Sequence, residues 1–313
     1  MDWLVGIVSE AEISEWEAVI GDWFFVLAFG FLAVELVRYA VLKRLDWTLI
    51  GDTITNYITL ILFLGINYAV LGAAYLALYF GAAQYAVFEI PVSWASVLIC
   101  IVLADLVYYW EHRFMHRVNI AWATHTVHHS SPNFNISVAY RFGPMDGFWP
   151  IFFHLPLVLL GFNPVVVFFS EMIVQLYQTA LHTEMFRKLP RPVEAVLNTP
   201  SHHRVHHGSN QQYLDANYGG IFIIWDRMFG TFVEEDEPVV YGLVEPIRSV
   251  NPLVAFFHGF WRLARNVTTS RGVGEAWMHL FGPPEWKPGP AGEPAKHPGS
   301  PAASPGRSPL SMS

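Results

Sequence analysis

Apolar residues run through this chain in blocks long enough to cross a bilayer. Residues 23–42 (WFFVLAFGFLAVELVRYAVL) form the first block, and about 20 apolar residues suffice for a helix to span. From Leu45 to His112 there is no Lys or Arg. That stretch holds two more candidate spans, 54–80 and 92–110, parted by Glu89-Ile90-Pro91. Residues 148–181 are apolar again but broken at Gly161-Phe162-Asn163-Pro164, which predicts a tilted or re-entrant hairpin of two short limbs. Polar, histidine-bearing segments cover 111–146 and 182–270. The pattern predicts an all-α fold: a multi-pass transmembrane helical bundle under a histidine-rich helical cap. Its parts would be an acidic amphipathic lead-in (1–22), transmembrane helices (23–110), a cap domain (111–270) that includes the membrane hairpin, and a disordered tail (282–313). Pro, Gly, Ala and Ser dominate that tail, which cannot bury enough apolar surface to fold.

Composition sharpens this. Hydrophobic residues make up 53% of the chain and charged residues 14%, against about 25% charged in soluble domains. The apolar blocks therefore face lipid rather than an enlarged core. A formal charge of −8 offers nothing to nucleic acid. The single cysteine, Cys100, excludes an internal disulfide and a thiolate metal site. No basic n-region or cleavage site marks a removable signal peptide. Lys43, Arg44, Arg113, Arg117, Arg141, Arg187, Lys188, Arg191 and Arg204 fall on one side of the predicted topology. The positive-inside rule then puts the histidine-rich cap in the cytoplasm and the N-terminus outside, in a bacterial cytoplasmic membrane or a eukaryotic endoplasmic reticulum. Asn135 and Asn266 match the glycosylation pattern, but on the cytoplasmic side they stay unmodified.

The histidines carry the chemistry. Ten of the 14 fall at His112, His116, His125, His128, His129, His182, His202, His203, His206 and His207. His112-Arg-Phe-Met-His116 sets two imidazoles on one helix face. His125-Thr-Val-His128-His129 and His203-Arg-Val-His206-His207 repeat an H-x-x-H-H spacing, which on a helix would converge to one side. His182 follows the apolar hairpin and can return to the same place. Neutral imidazole suits Fe, Zn, Cu and Ni, and one zinc is satisfied by about four ligands. So many histidines point to two ions. His202 stands at the edge of the set, where ligation and an orienting role are both open. His154, His258, His279 and His297 stand apart from these motifs. Asp105, two turns before His112 on its helix face, Glu111, Asn217 and Asp226 are candidates for orienting the ligands, and Asp105, Asn217 and Asp226 are the predicted catalytic-site residues beside the metals. Arg141 is suited to a head group, an acidic partner or an anchoring role. Gly219 and Gly220 read as a turn.

This series of motifs resembles the fatty acid hydroxylase/sterol desaturase superfamily over roughly residues 95–260. The similarity is densest in Asn198-Thr-Pro-Ser-His-His-Arg-Val-His-His207, Asn217-Tyr-Gly-Gly, Trp225-Asp-Arg-Met-Phe-Gly-Thr231 and Val239-Val-Tyr-Gly-Leu243. With His182-Thr-Glu it looks most like the alkylglycerol monooxygenase branch. The resemblance implies two Fe ions on these histidines, making 111–270 a di-metal catalytic domain. It also implies O2 as co-substrate, hydroxylation of a membrane lipid (ether lipid, fatty acyl or sterol) and, in that branch, a tetrahydropterin. Desaturation at the same centre is the alternative. No flavin, nicotinamide or Fe–S fingerprint is present, so electrons come from an external electron donor, either a separate redox partner or a reduced pterin. A membrane metal transporter or sensor would carry its histidines near the bilayer midplane, whereas these lie at span ends. A zinc hydrolase would need an H-E-x-x-H motif that is absent.

Overall fold

A computed structural model describes residues 6–289; most of the tail expected to be disordered, with His297, lies outside the described residues. Helix α1 (Glu10–Val41) begins at a capping box in which Ser9 and Glu12 each accept from the other's backbone N–H. From Glu10 onward the expected acidic lead-in is therefore the opening of the first span itself, since no proline interrupts it before Trp23. Asp46 caps α2 (Trp47–Ile66), which passes through one π-helical turn into α3 (Gly72–Ala82) as a continuous run of 39 residues to Tyr85. Ser93 caps α4 (Trp94–Arg117), and α5 (Asn119–His125) follows directly.

The apolar stretch 148–181 folds as two helices, α6 (Phe148–Leu160) and α7 (Pro164–Leu181). Gly161 turns at φ +122, where a Cβ would run into the Phe88 carbonyl. Its limbs are unequal, however. Helix α7, with 18 residues, is itself long and apolar enough to cross, while α6 is shorter. At about 1.5 Å per residue, 18 residues reach about 27 Å, close to the hydrocarbon thickness. The cap holds α8 (Arg191–Val196), α9 (Pro200–His206), α10 (Ile224–Phe229), α11 (Pro252–Thr268) and α12 (Val273–Phe281). Among the described residues extended pairing is limited to three isolated β-bridges.

Among the described residues four helical runs, Glu10–Val41, Trp47–Tyr85, Trp94–Arg117 and Pro164–Leu181, are long and apolar enough to span a membrane. They are apolar outside and polar inside. Trp23, Leu27, Ile61, Val70, Leu98 and Ile99 are exposed, while Glu35, Asp52, Asn56, Asp105 and Glu111 are buried. That inversion is what a lipid solvent requires. Helix α4 is central, packing on α5, α6 and α7, with α1 against the far side of α7. Small residues on α4, Cys100 and Ala104, are fully buried among Val166, Val167 and Val174. In lipid such faces are held by close packing rather than by release of water.

Arg141 is 1% exposed and therefore not a surface anchor. It bonds Asp52 at 2.9 Å, Asn56 at 2.7 Å and the Val127 carbonyl at 2.9 Å. Of the roles open to it, the acidic partner is the one realised. A buried guanidinium is tolerable because its donors are met. The pair ties the start of α2 to the loop that carries His128 and His129.

Candidate metal centre

Helix α4 carries His112 and His116 one turn apart, near its C-terminus. The chain reverses at Val118, and α5 brings back His125 at its C-terminus. A short 3-10 turn, His128–Ser130, then sets the next two imidazoles. His182 caps α7, and α9 supplies His203 and His206 with His207 at its C-cap.

Nine histidines assemble into two groups, all buried. His112, His116, His125, His129 and His206 form the first; His128, His182, His203 and His207 form the second. Within each, one nitrogen per residue lies within 4.8 Å of every other. The H-x-x-H-H motifs do not converge on one side as a simple helix face would. His125 and His129 enter the first group and His128 the second, while His203 and His207 enter the second and His206 the first. Neighbouring helical residues diverge by about 100°, so each motif straddles both groups. The groups touch where the His129 and His207 rings stack at 4.4 Å.

Backbone carbonyls settle which nitrogen faces inward. Nδ1 of His112 donates to the Tyr218 carbonyl at 2.9 Å, that of His206 to Ala216 at 3.0 Å, and that of His182 to Gln178 at 2.9 Å. Each then presents a bare Nε2 to its group. His112 Nε2 lies 3.1 Å from His125 Nε2, and His182 Nε2 lies 3.2 Å and 3.0 Å from those of His128 and His203. Two nitrogens bonded to one ion at about 2.1 Å, at angles between square and tetrahedral, stand about 3.0–3.4 Å apart. The Nε2 atoms of His116, His129, His206 and His207 are buried without any partner, a state that costs about 1–3 kcal/mol each unless something meets them.

Burial, and after it the neighbouring imidazoles, holds His125, His128, His129, His203 and His207 well below the ordinary histidine range. Burial pushes His182 down to about 3 and His206 to about 4. These imidazoles are neutral, the state that binds metal. Converging lone pairs, orphaned nitrogens and neutral rings fit a pair of cations held by five and four histidines.

The other predicted site residues lie one step away. His202 joins neither group; its Nε2 meets the Glu194 carboxylate at 2.8 Å. Asp226 accepts from the Tyr218 N–H at 2.7 Å, the Gly219 N–H at 2.8 Å and the Thr231 hydroxyl at 2.7 Å. Burial raises its carboxyl and those donors oppose the rise. Asp105 takes the Phe222 N–H at 3.0 Å and the Trp225 indole at 2.8 Å. Gly220 lies so close to Asp105 that a Cβ would collide with it. Asn217 turns in the left-handed region at φ +57, which Asn tolerates, and its amide bonds the His202 and Val233 carbonyls at 3.1 and 2.8 Å. The hydrogen bonds of these three residues run to backbone groups and to the Trp225 and Thr231 side chains. Together they fix the strand of backbone whose Ala216 and Tyr218 carbonyls hold His206 and His112. Glu111 instead faces His154 at 3.5 Å, within the membrane helices.

Sequence reading missed Phe134. Its ring covers the second group, 5.6 Å from His182 and 5.1 Å from His207, and stacks on Tyr241 at 4.8 Å. No motif marks it. A cavity of about 1400 Å³ reaches the centre from the cap, touching His116, His129, His206 and His207 and walled by Trp122, Trp261, Arg262 and Arg265.

Comparison with known proteins gives a consistent picture. Human alkylglycerol monooxygenase is 42% identical over 200 residues, 64% of this chain and 44% of the relative. The Caenorhabditis elegans protein of the same name is 31% identical over 304 residues, 90% of this chain and 57% of the relative. Human lathosterol oxidase is 29% identical over 153 residues, 49% of this chain and 48% of the relative. The chain thus spans about half the length of these relatives. No solved structure matches it. The fatty acid hydroxylase model matches residues 97–231, a region that includes all nine converging histidines. Over that region the chain is similar to the fatty acid hydroxylase family.

Proposed function

We propose that this protein is an integral-membrane oxygenase that uses two iron ions to hydroxylate a lipid with O2. The observation that carries the reading is the pair of adjoining groups of buried, neutral imidazoles at the membrane exits of α4 and α7. His112, His116, His125, His129 and His206 would hold one ion, and His128, His182, His203 and His207 the other. Bound iron would supply the redox chemistry by which one atom of O2 enters a C–H bond, with two electrons and two protons taking the second atom to water. The chain's own groups do the rest. Tyr218, Ala216 and Gln178 carbonyls aim three of the imidazoles. Asp105, Asn217 and Asp226 act through that backbone as positioning residues. Phe134 and Tyr241 keep water from the second group.

Similarity to the alkylglycerol monooxygenases supports a glycerol ether lipid as substrate, and a tetrahydropterin, in place of a separate redox protein, is the reductant that the resemblance of the histidine motifs implies. The basic residues around the centre support a cytoplasmic site. Similarity to lathosterol oxidase supports a second reading, removal of two hydrogens from a lipid at the same centre. Incubation of the iron-loaded protein with lipid, reductant and 18O2 separates them. Hydroxylation puts one labelled oxygen in the product, and desaturation gives a new double bond with none. Activity that persists under strict anaerobiosis contradicts both.

A further inference from the structure

We propose that α11 and α12 form a hairpin lying in the headgroup layer of the bilayer, on the membrane face where α4 ends. Helix α11 carries two apolar stripes. Ala255, Phe256, Gly259 and Leu263 are buried, and the helix approaches α5 so closely that a Cβ at Gly259 would meet the Ala123 carbonyl. The other stripe, Leu253, Phe257 and Trp261, follows helical spacing, with Leu253 52% and Trp261 57% exposed. Helix α12 buries only His279 and also turns an apolar face outward. Val273, Trp277 and Phe281 share one face and are 87%, 60% and 44% exposed. The Trp277 and Phe281 rings meet at 4.3 Å. One apolar stripe per helix satisfies a protein neighbour; the second needs a different one.

The hairpin's ends say which. At its start the Val250 side chain packs on Gly51 and its carbonyl accepts from Thr55, both in the opening turns of the second span. At its finish the Gly282 carbonyl accepts from Asn119 N–H at 3.0 Å, and the His279 carbonyl from the Asn119 amide at 2.7 Å. Asn119 stands two residues beyond the end of α4. Where α2 begins and where α4 ends are points on the same membrane face, so the hairpin is pinned along that face at both ends. Trp47, which opens the second span on that same face, is 85% exposed. Charge agrees. Residues 252–288 hold Arg262, Arg265, Arg271 and Lys287 against Glu275 and Glu285, in a chain of formal charge −8. A basic, tryptophan-bearing surface at that depth suits anionic headgroups. Because Trp261, Arg262 and Arg265 also wall the cavity to the histidines, its mouth opens among the headgroups.

The test uses depth-dependent quenching and is independent of the reaction. Val273→Cys and Trp277→Cys, each with Cys100→Ala, are labelled with a small fluorophore and reconstituted in phosphatidylcholine–phosphatidylglycerol vesicles. Glu237→Cys on the outer cap serves as reference. Metal content and circular dichroism equal to the parent protein show that the fold survives. The expected result is loss of fluorescence to nitroxide-bearing lipid and little to aqueous iodide at residues 273 and 277, the reverse of residue 237. Iodide quenching equal to that at 237 overturns the proposal. So does shielding from both quenchers, which would mean that a second copy or the chain's own tail covers the face.

Discussion

The two histidine groups are made from the same motifs, yet their surroundings differ. The first has five imidazoles, two of them aimed by carbonyls of the 216–218 segment, and three of them reach the cavity. The second has four, one of them, His182, aimed by the Gln178 carbonyl; Phe134 covers the group, and of the four only His207 touches the cavity. One group is open and held from the cap, while the other is roofed and held from a membrane helix. The difference predicts easier exchange at the first group than at the second.

Single ligand removal should have the largest effect. His206→Ala takes an imidazole from the first group and His203→Ala one from the second, and each should abolish turnover. Iron analysis should show one ion lost and one kept, with His206→Ala retaining the roofed ion. Asp226→Asn should come next. It weakens the hold on Tyr218 and Gly219, and outer-sphere partners of this kind are worth about 10–100-fold in metal affinity or activity. The loss should fall on the first group alone, seen as faster removal of one of the two ions by a chelator. Phe134→Leu should act on the other side, speeding chelator removal from the second group while leaving the first unchanged.

The smallest effect belongs to the brace on α9, which feeds both groups. Arg204 bonds Glu235 at 2.8 and 2.7 Å. Burial raises the Glu235 carboxyl, but the hydrogen bonds from Arg204 and Ser201 outweigh it and leave the carboxyl below its ordinary range. A carboxyl depressed in the folded state adds stability above its unfolded value, about 4.5, and loses it as pH falls below that. Glu235→Gln should therefore destabilise by about 1–3 kcal/mol at neutral pH. In melts taken at falling pH below 4.5, the gap between variant and parent should narrow.

Much of this was legible in the sequence, for identifiable reasons. Spans announce themselves by length and by the absence of charge, and His112 and His116 share a helix face by spacing alone. The sharing of each H-x-x-H-H motif between two groups was not legible. It depends on a 3-10 turn at His128 and on the end of α9 at His206. Asp105, Asn217 and Asp226 were visible as polar residues in apolar or motif-rich surroundings, but their partners are backbone groups that no side-chain pattern encodes. The same is true of the carbonyls that aim His112, His182 and His206. Phe134 looks like any other aromatic until the fold lays it on His207. The unequal limbs of the membrane hairpin follow from where Asn163 and Pro164 start α7, which leaves α6 the shorter share.

Unequal access at two proposed metal sites in one chain is open to direct measurement. The most direct measurement is iron content with Mössbauer spectroscopy of the 57Fe-loaded protein, before and after a timed chelator challenge. The account predicts two irons per chain at the outset and one, in a histidine-rich environment, after brief challenge. A single ion per chain at saturation, or two that leave together at one rate, would contradict it.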